Sequence, residues 1–243
     1  MQNSNSQSDK INIQLASLLL HDLETPLAVT KQFLKRVKDG RHDPDNPNHC
    51  RLLDSAQFAI QRGERILEDL LDLTRAGANG FSVKCSHEDL FEIISQCSSI
   101  VLPLLNDKRN TVILPKESDC PRIVNLDKAM ISRVIDNILV NAIRHASRAS
   151  AIEIQTASSD QTITLSIINE IEKDVQIDIA RIFDPSYQVE MRIQRKMRGS
   201  GLGLTFSQMV INAHGGKMLA HEEDGKAVIG FEIPFNGKGD ING

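Results

Sequence analysis

The amino-acid sequence predicts an α+β protein in which a helical hairpin precedes a mixed α/β domain. Two observations support this fold class. In the first part of the chain, apolar residues recur in steps of three and four, as they do on one face of a helix. From Phe81 onward, short alternating segments typical of strands are interleaved with helical patterns. The 243 residues are enough for two domains, predicted at 1–78 and 81–236.

The first helix carries a heptad-like seam that runs through Ile11, Leu15, Leu18, Asp22, Thr25 and Val29. Residues 40–48 are dense in turn formers, so we expect a turn there. The second helix carries apolar residues at helical spacing, namely Leu53, Ala56, Ile60, Leu67, Leu70, Leu71 and Leu73. Two antiparallel helices cannot cover both apolar faces alone, which predicts a homodimeric four-helix bundle. The alternative is a hairpin covered by the second domain of its own chain.

The α/β domain is predicted from the change in periodicity. The expected strands are 81–84, 111–114, 122–124, 151–156, 162–168, 217–221 and 226–234. The expected helices are one from about 88 to 106, one that opens at Leu126 and Asp127, and one that follows Gly203 and ends at Gly215 and Gly216.

Composition narrows the classes of function. The net charge of −4 argues against a general nucleic-acid binder, and no apolar run approaches the roughly 18 residues of a membrane span. The polar start of the chain lacks a signal-peptide pattern, so we expect a cytoplasmic protein. Four cysteines without paired spacing fit a reducing compartment, and we expect each thiol to be buried or half-buried.

A small reactive cluster lies on the first helix, where His21 is followed by Asp22 and, one turn later, by Thr25. A carboxylate that accepts a proton from one ring nitrogen makes the other nitrogen a better nucleophile. A histidine and aspartate pair alone is more commonly a solvated surface feature.

Polar side chains also recur on the helix that opens at Asp127. Asn137, Asn141, Arg144 and His145 are separated by four, three and one residues. Amides within an apolar helix need partners. A divalent cation bound by an amide oxygen, with phosphates paired to the cation and to Arg144, would supply them. Hydrogen bonds to neighbouring backbone are the alternative.

A glycine-rich turn precedes the last helix. Gly199, Gly201 and Gly203 would let backbone amides approach an anion. The basic residues before this turn suit a mobile lid over a triphosphate or, alternatively, a solvated loop. They are Arg192, Arg195, Lys196 and Arg198.

The segment His21 to Leu27 resembles the phosphoacceptor box of two-component sensor histidine kinases. The resemblance implies that His21 takes the γ-phosphoryl group of ATP and passes it to an aspartate on the receiver domain of a response regulator. It implies that Asp22 is the general base and that Thr25 positions water when the kinase dephosphorylates its regulator.

The segment 133–146 resembles the N-box of the same kinases, which implies an α/β sandwich of the GHKL ATPase type that binds ATP and Mg²⁺. On this resemblance Asn141 binds the magnesium ion, Asn137 lies one turn earlier, and Arg144 and His145 lie near the phosphates. Residues 181–185 resemble the phenylalanine box. The segment 199–203 resembles the second glycine box, with Arg198 in the lid.

The chain departs from this family at the first glycine box. Asn169 stands where the family has an aspartate that binds the adenine amino group, and Ile171 and Lys173 replace two glycines. Loss of the charge could weaken adenine binding on the order of tenfold, so Asn169→Asp is expected to tighten it. If the backbone requires a positive φ at Ile171, strain adds a penalty of about 1–2 kcal/mol.

Three functions therefore compete. The first is an ATP-dependent histidine kinase with an altered adenine pocket. The second is a dimeric phosphotransfer or phosphatase module that uses His21 and Thr25 but binds ATP poorly. The third is a dimerising scaffold without catalytic activity.

Overall fold

The computed structural model describes two parts of the chain. The first is residues 23–67 with gaps at 25, 42, 44, 47, 48, 51, 54, 58, 61, 62, 65 and 66. The second is residues 82–235 with gaps at 102–104, 106–108, 122, 172–177, 184–186, 188–190 and 192–201. The chain forms two compact units, one from residues 1–79 with 198–202 and one from residues 80–197 with 203–243. No helix among these described residues is long and apolar enough to cross a membrane.

The elements described in the first unit are two helices. Helix α1 includes residues 26–38, and the described residues between 49 and 67, in helix α2, are all helical. Pro26, Ala56 and Ala59 are buried, and Gly63 lies opposite the side chains of Leu23 and Pro26. These small and cyclic side chains let the two helices approach each other closely.

The second unit contains seven strands and three helices whose bounds are described, and Tyr187 and Met191 are helical as well. In chain order the strands and helices are β1 (Ser86–Glu88), α3 (Leu90–Val101), β2 (Thr111–Ile113), β3 (Val124–Leu126), α4 (Lys128–His145), β4 (Ala151–Ser158), β5 (Thr162–Glu170), α5 (Leu202–Ala213), β6 (Lys217–Glu223) and β7 (Lys226–Pro234). Short 3₁₀ turns span Glu117–Asp119 and Ile179–Arg181.

A five-stranded sheet forms one layer of this unit, with the strand order β2-β4-β5-β7-β6. Strand β2 pairs with β4 in parallel, and the other neighbours are antiparallel. Buried residues alternate along β5, where Ile163, Leu165, Ile167 and Asn169 face the core. The apolar faces of α3, α4 and α5 belong to the same core. Asn169 is therefore a polar group at the end of an otherwise apolar row.

The strand expected at 81–84 is wrong in its position. Residues 82–85 have no regular secondary structure, and the strand is Ser86–Glu88, which pairs antiparallel with β3. The backbone N–H of Lys84 donates to the Asp127 carboxylate at 2.8 Å, so this group helps to anchor the start of α4. The strand expected at 122–124 likewise lies at Val124–Leu126, and α3 ends at Val101 rather than near 106.

The expectation for the cysteines is half correct. All four thiols are free, and Cys97 and Cys120 are buried, but Cys50 and Cys85 are exposed. Burial raises the pKa of the Cys120 thiol, and burial together with the nearby Asp127 carboxylate raises the pKa of Cys85. A raised pKa lowers the fraction of reactive thiolate.

We therefore expect a maleimide or disulfide reagent at pH 8 to modify Cys50 first, Cys85 more slowly, and Cys97 and Cys120 only after unfolding. The rate at Cys85 should rise as the pH is increased, because its thiolate fraction grows. Peptide mass mapping of the modified sites over time measures this order. Rapid modification of Cys120 in the folded protein would contradict the packing described above.

Candidate functional site

The start of α4 is held by a set of hydrogen bonds around Asp127. Its carboxylate accepts from the backbone N–H of Met130 at 3.1 Å, which makes it the N-cap of the helix. Its own backbone N–H donates to Nε2 of His214 at 3.0 Å. Since a backbone N–H can only donate, Nε2 is the acceptor, and the ring proton on Nδ1 faces the Val210 carbonyl at 2.8 Å. The neutral imidazole thus joins the end of α5 to the beginning of α4.

The apolar stripe of α4 leaves its polar residues on another face. Ile131, Val134, Ile135, Ile138, Leu139 and Ala142 are buried. Asn137, Asn141, Arg144 and His145 are half-buried, and Arg144 and His145 lie in the last turn. The positive Arg144 side chain there complements the helix dipole and lies at the same end of the helix as Asn141.

The two amides differ in their hydrogen bonding. Asn137 donates from Nδ2 to the Gly203 carbonyl oxygen at 3.1 Å. The acceptor fixes the amide orientation, because a carbonyl oxygen cannot donate. Asn141 has no hydrogen bond to any of the described residues, so its oxygen remains available to a ligand. An amide oxygen is a suitable ligand for Mg²⁺, which prefers hard oxygen donors.

Asn137 and Gly203 are the predicted site residues that the structure brings into direct contact. A Cβ atom added at Gly203 would lie 3.0 Å from both Cγ and Oδ1 of Asn137. The same Gly203 carbonyl also accepts from the Ser207 hydroxyl at 2.7 Å. A glycine at this position therefore allows the amide of α4 to reach the first turn of α5.

The end of β5 presents Asn169 in a fixed orientation. This side chain is only 2% exposed. Its Nδ2 donates to the carbonyl of Glu170 at 3.1 Å, and that carbonyl also accepts from the Ser147 backbone N–H at 2.9 Å. With its N–H₂ group held in this way, Asn169 keeps its Oδ1 as an acceptor, which is the group that an adenine amino group requires.

Ile171 carries none of the expected strain. The non-glycine residues with positive φ in the described part of the chain are Arg109, Ala149 and Asp224, so the condition for the penalty at Ile171 is not met. Its backbone N–H donates to the Gly225 carbonyl at 3.3 Å, and it forms an isolated bridge with Ala146. The backbone here is extended and paired, which a β-branched residue favours. Lys173 lies outside the described residues.

The other predicted site residues also lie outside the described residues. These are His21, Asp22 and Thr25 of the phosphoacceptor box, and Arg198, Gly199 and Gly201 before α5. Two structural contributors were missed by the sequence analysis. Ser207 carries a weak signal, because it lies four residues after Gly203. His214 carries none, because its partner, the Asp127 backbone N–H, lies 87 residues away in the chain.

Comparison with known proteins identifies both units. The family described as histidine kinase-, DNA gyrase B-, and HSP90-like ATPase matches residues 126–237. The family described as the His kinase A (phospho-acceptor) domain matches residues 12–79. The alginate biosynthesis sensor protein KinB of Pseudomonas aeruginosa is 26% identical over 206 residues, which are 85% of this chain. The chain spans about a third of that relative, 34% of its length.

Solved structures share the fold. The Acinetobacter baumannii histidine kinase AdeS superposes with a TM-score of 0.60 at 19% identity, over 89% of this chain and 98% of that chain. A complex of the histidine kinase ThkA with the response regulator protein TrrA gives a TM-score of 0.59 at 18% identity, over 96% of this chain and 65% of that chain.

Residues 126–237, which include α4, form an ATPase domain of the class shared by histidine kinases, DNA gyrase B and HSP90. The domain before it is a phosphoacceptor domain. The two matches together support a two-component histidine kinase core, and the relatives include sensor proteins and sensor histidine kinases. The predicted family and fold class are thus confirmed.

Proposed function

We propose that this chain transfers the γ-phosphoryl group of ATP to His21 and from there to an aspartate on the receiver domain of a response regulator. The observation that carries the proposal is the presence of a phosphoacceptor domain and an ATPase domain in one chain, with the histidine box inside the first. The complex of ThkA with TrrA supports the partner, since it joins a protein of this fold to a response regulator.

The reaction requires an in-line displacement at phosphorus. A ring nitrogen of His21 forms the new bond to the γ-phosphorus, the bond to the β,γ-bridging oxygen breaks, and ADP leaves with that electron pair. Asp22 takes up the ring proton. Arg144 and the basic segment that includes Arg198 offset negative charge on the phosphates. His145 and the backbone at Gly199, Gly201 and Gly203 complete the proposed phosphate site.

Magnesium fits the residues present. Among the described residues, no group of three or more histidine, cysteine, aspartate or glutamate side chains could hold a metal ion. We therefore place the ion between Asn141 and the phosphates of the nucleotide. Asn141 supplies the one protein oxygen that this arrangement needs, because it has no hydrogen bond to a described residue. When bound, Mg²⁺ neutralises charge on the triphosphate.

We further propose that the helical hairpin forms a homodimer. Large apolar side chains on both helices are exposed in the single chain, including Leu27 at 66%, Leu34 at 59% and Ile60 at 48%. Three such residues on a two-helix unit are more than a solvated surface requires, and a second hairpin would bury them as a four-helix bundle.

The residues proposed to lie near adenine favour the function of an ATP-dependent kinase over that of a module that binds ATP poorly. Asn169 presents an acceptor, and Ile171 adds no backbone strain. The direct test is incubation of the full chain with γ-labelled ATP and Mg²⁺, followed by treatment of the product with acid and with base. We expect label that is lost in acid and retained in base, as for a phosphorus–nitrogen bond. Failure to bind ATP would favour the phosphotransfer or scaffold alternatives.

The geometry also changes the expectation for Asn169→Asp. A carboxylate oxygen would replace Nδ2 and face the Glu170 carbonyl oxygen, at a position that is 2% exposed. Lost hydrogen bonding and burial of charge should lower the free energy of unfolding by about 1–3 kcal/mol. We therefore expect no gain in ATP affinity, measured by calorimetry alongside thermal unfolding. The matched variant Asn169→Ser keeps a small polar group without the charge, and an Asn169→Asp protein that binds ATP several-fold more tightly would contradict this expectation.

A further inference from the structure

Three contacts join α4 to α5 along their length. The Asp127 backbone contacts His214, the Arg133 guanidinium lies 4.1 Å from the centre of the Phe206 ring, and Asn137 contacts Gly203. The order of these partners along α4 is the reverse of their order along α5. The two helices are therefore antiparallel, and the last of the three contacts lies at the first turn of α5.

This last contact depends on two chemical features at once. The Gly203 carbonyl accepts from Nδ2 of Asn137 in addition to the Ser207 hydroxyl, so Asn137 contributes the donor that comes from the neighbouring helix. Gly203 has no Cβ, which lets the amide approach, since an added Cβ would lie 3.0 Å from Cγ and Oδ1 of Asn137. A glutamate or aspartate at position 137 has no donor to offer and would repel the carbonyl oxygen. The asparagine and the glycine therefore act as a pair.

Asn141 lies one helical turn after Asn137 on the same helix. The contact from Asn137 thus fixes the distance between the amide available for a metal ion and the first turn of α5. Gly203, in that turn, is a described residue of the proposed phosphate site. A displacement of α5 would separate the parts that must bind one triphosphate together.

We propose that Asn137 is a positioning residue, which serves nucleotide binding by holding Gly203 and the first turn of α5 rather than by touching the phosphates. This inference rests on the proposed function, because it assigns Asn137 a role within the ATP site. It removes Asn137 from the residues that contact ATP directly and leaves Asn141 as the amide that binds the magnesium ion.

A double-mutant cycle tests the pair in the full chain. The variants are Asn137→Ala, Gly203→Ala and the double variant, with affinity for ADP and Mg²⁺ measured by calorimetry and the free energy of unfolding measured without nucleotide. We expect each single variant to weaken ADP binding about five- to tenfold. In the Asn137→Ala protein the crowded amide is absent, so Gly203→Ala should weaken binding by less than about twofold further.

Two further variants separate positioning from simple structural support. Asn137→Asp keeps the side-chain size but loses the donor, and should weaken ADP binding at least as much as Asn137→Ala. Ser207→Ala removes the other donor to the same carbonyl, but that bond lies within α5, so it should change ADP affinity less than twofold. The Mg²⁺ dependence of ADP binding should persist in Asn137→Ala, because Asn141 is intact.

The possible results are distinct. The inference would be overturned if the double variant lost affinity by the product of the two single losses. It would also be overturned if ADP binding by Asn137→Ala no longer depended on Mg²⁺. Either result would show that Asn137 acts on the nucleotide directly. Independent effects on unfolding would overturn the contact itself. A wild-type chain that binds no nucleotide would instead overturn the proposed function, while the unfolding measurements would still decide whether Asn137 and Gly203 are coupled.

Discussion

Replacement of His21 by alanine is expected to abolish incorporation of label from γ-labelled ATP, while ATP binding stays within about twofold of the wild-type value. The imidazole is the proposed nucleophile, and alanine offers no atom that could form the bond to phosphorus. The proposed nucleotide site lies in the ATPase domain at 126–237, whereas residue 21 belongs to the phosphoacceptor domain at 12–79. The measurement is label retained on the protein after gel separation, together with calorimetry of ATP binding.

His221→Ala is a suitable control for this experiment. His221 is an exposed histidine on β6, and the proposed mechanism gives it no role. Its loss should leave labelling unchanged, which excludes a general effect of removing a histidine. Base-stable, acid-labile label on His21→Ala protein would contradict the assignment and require a different phosphorylated histidine. Phosphotransfer from a phosphorylated receiver domain to wild-type protein, but not to His21→Ala, would test the second half of the reaction.

The sequence predicted the elements that depend on local pattern. The alternation of apolar residues in β4 and β5, the start of a helix at Leu126 and Asp127 and the polar series on α4 were all recognisable, because each is set by neighbours within one or two turns. The displaced first strand shows the limit of this approach. Its position is decided by pairing with Val124–Leu126 and by the bond from Lys84 to Asp127, and these partners lie about forty residues away along the chain.

The candidate site also depends on contacts between residues that are far apart in the sequence. Asn137, Asn141 and Gly203 were identified as site residues, but their spacing could not distinguish the two amides. The structure does so through one hydrogen bond between residues 66 positions apart in the chain. Likewise, the substitution of a glycine by Ile171 suggested strain, whereas the partner that keeps its backbone extended, Gly225, belongs to a distant hairpin turn. Long-range contacts therefore changed the predicted roles without changing the predicted residues.

Asn141→Ala is expected to lower the rate of His21 phosphorylation on the order of 100-fold, because it removes the proposed protein ligand of Mg²⁺. The free energy of unfolding should change by less than about 0.5 kcal/mol, since this side chain is half-buried and forms no hydrogen bond within the described residues. Asn137→Ala provides the comparison on the same helix, because it breaks a bond to Gly203 and should therefore affect stability as well.

The metal dependence is the decisive measurement for Asn141. In the wild-type chain, Mg²⁺ should strengthen ADP binding, because the ion offsets repulsion between the phosphates and contributes its own bond to the protein. In Asn141→Ala the bond between the ion and the protein is absent, so added Mg²⁺ should strengthen ADP binding much less than in the wild type. Asn141→Asp retains an oxygen ligand and adds a charge, which should restore part of the Mg²⁺ dependence. If Asn141→Ala responds to Mg²⁺ as the wild type does, the ion must be bound elsewhere, and the available amide on α4 would need another function.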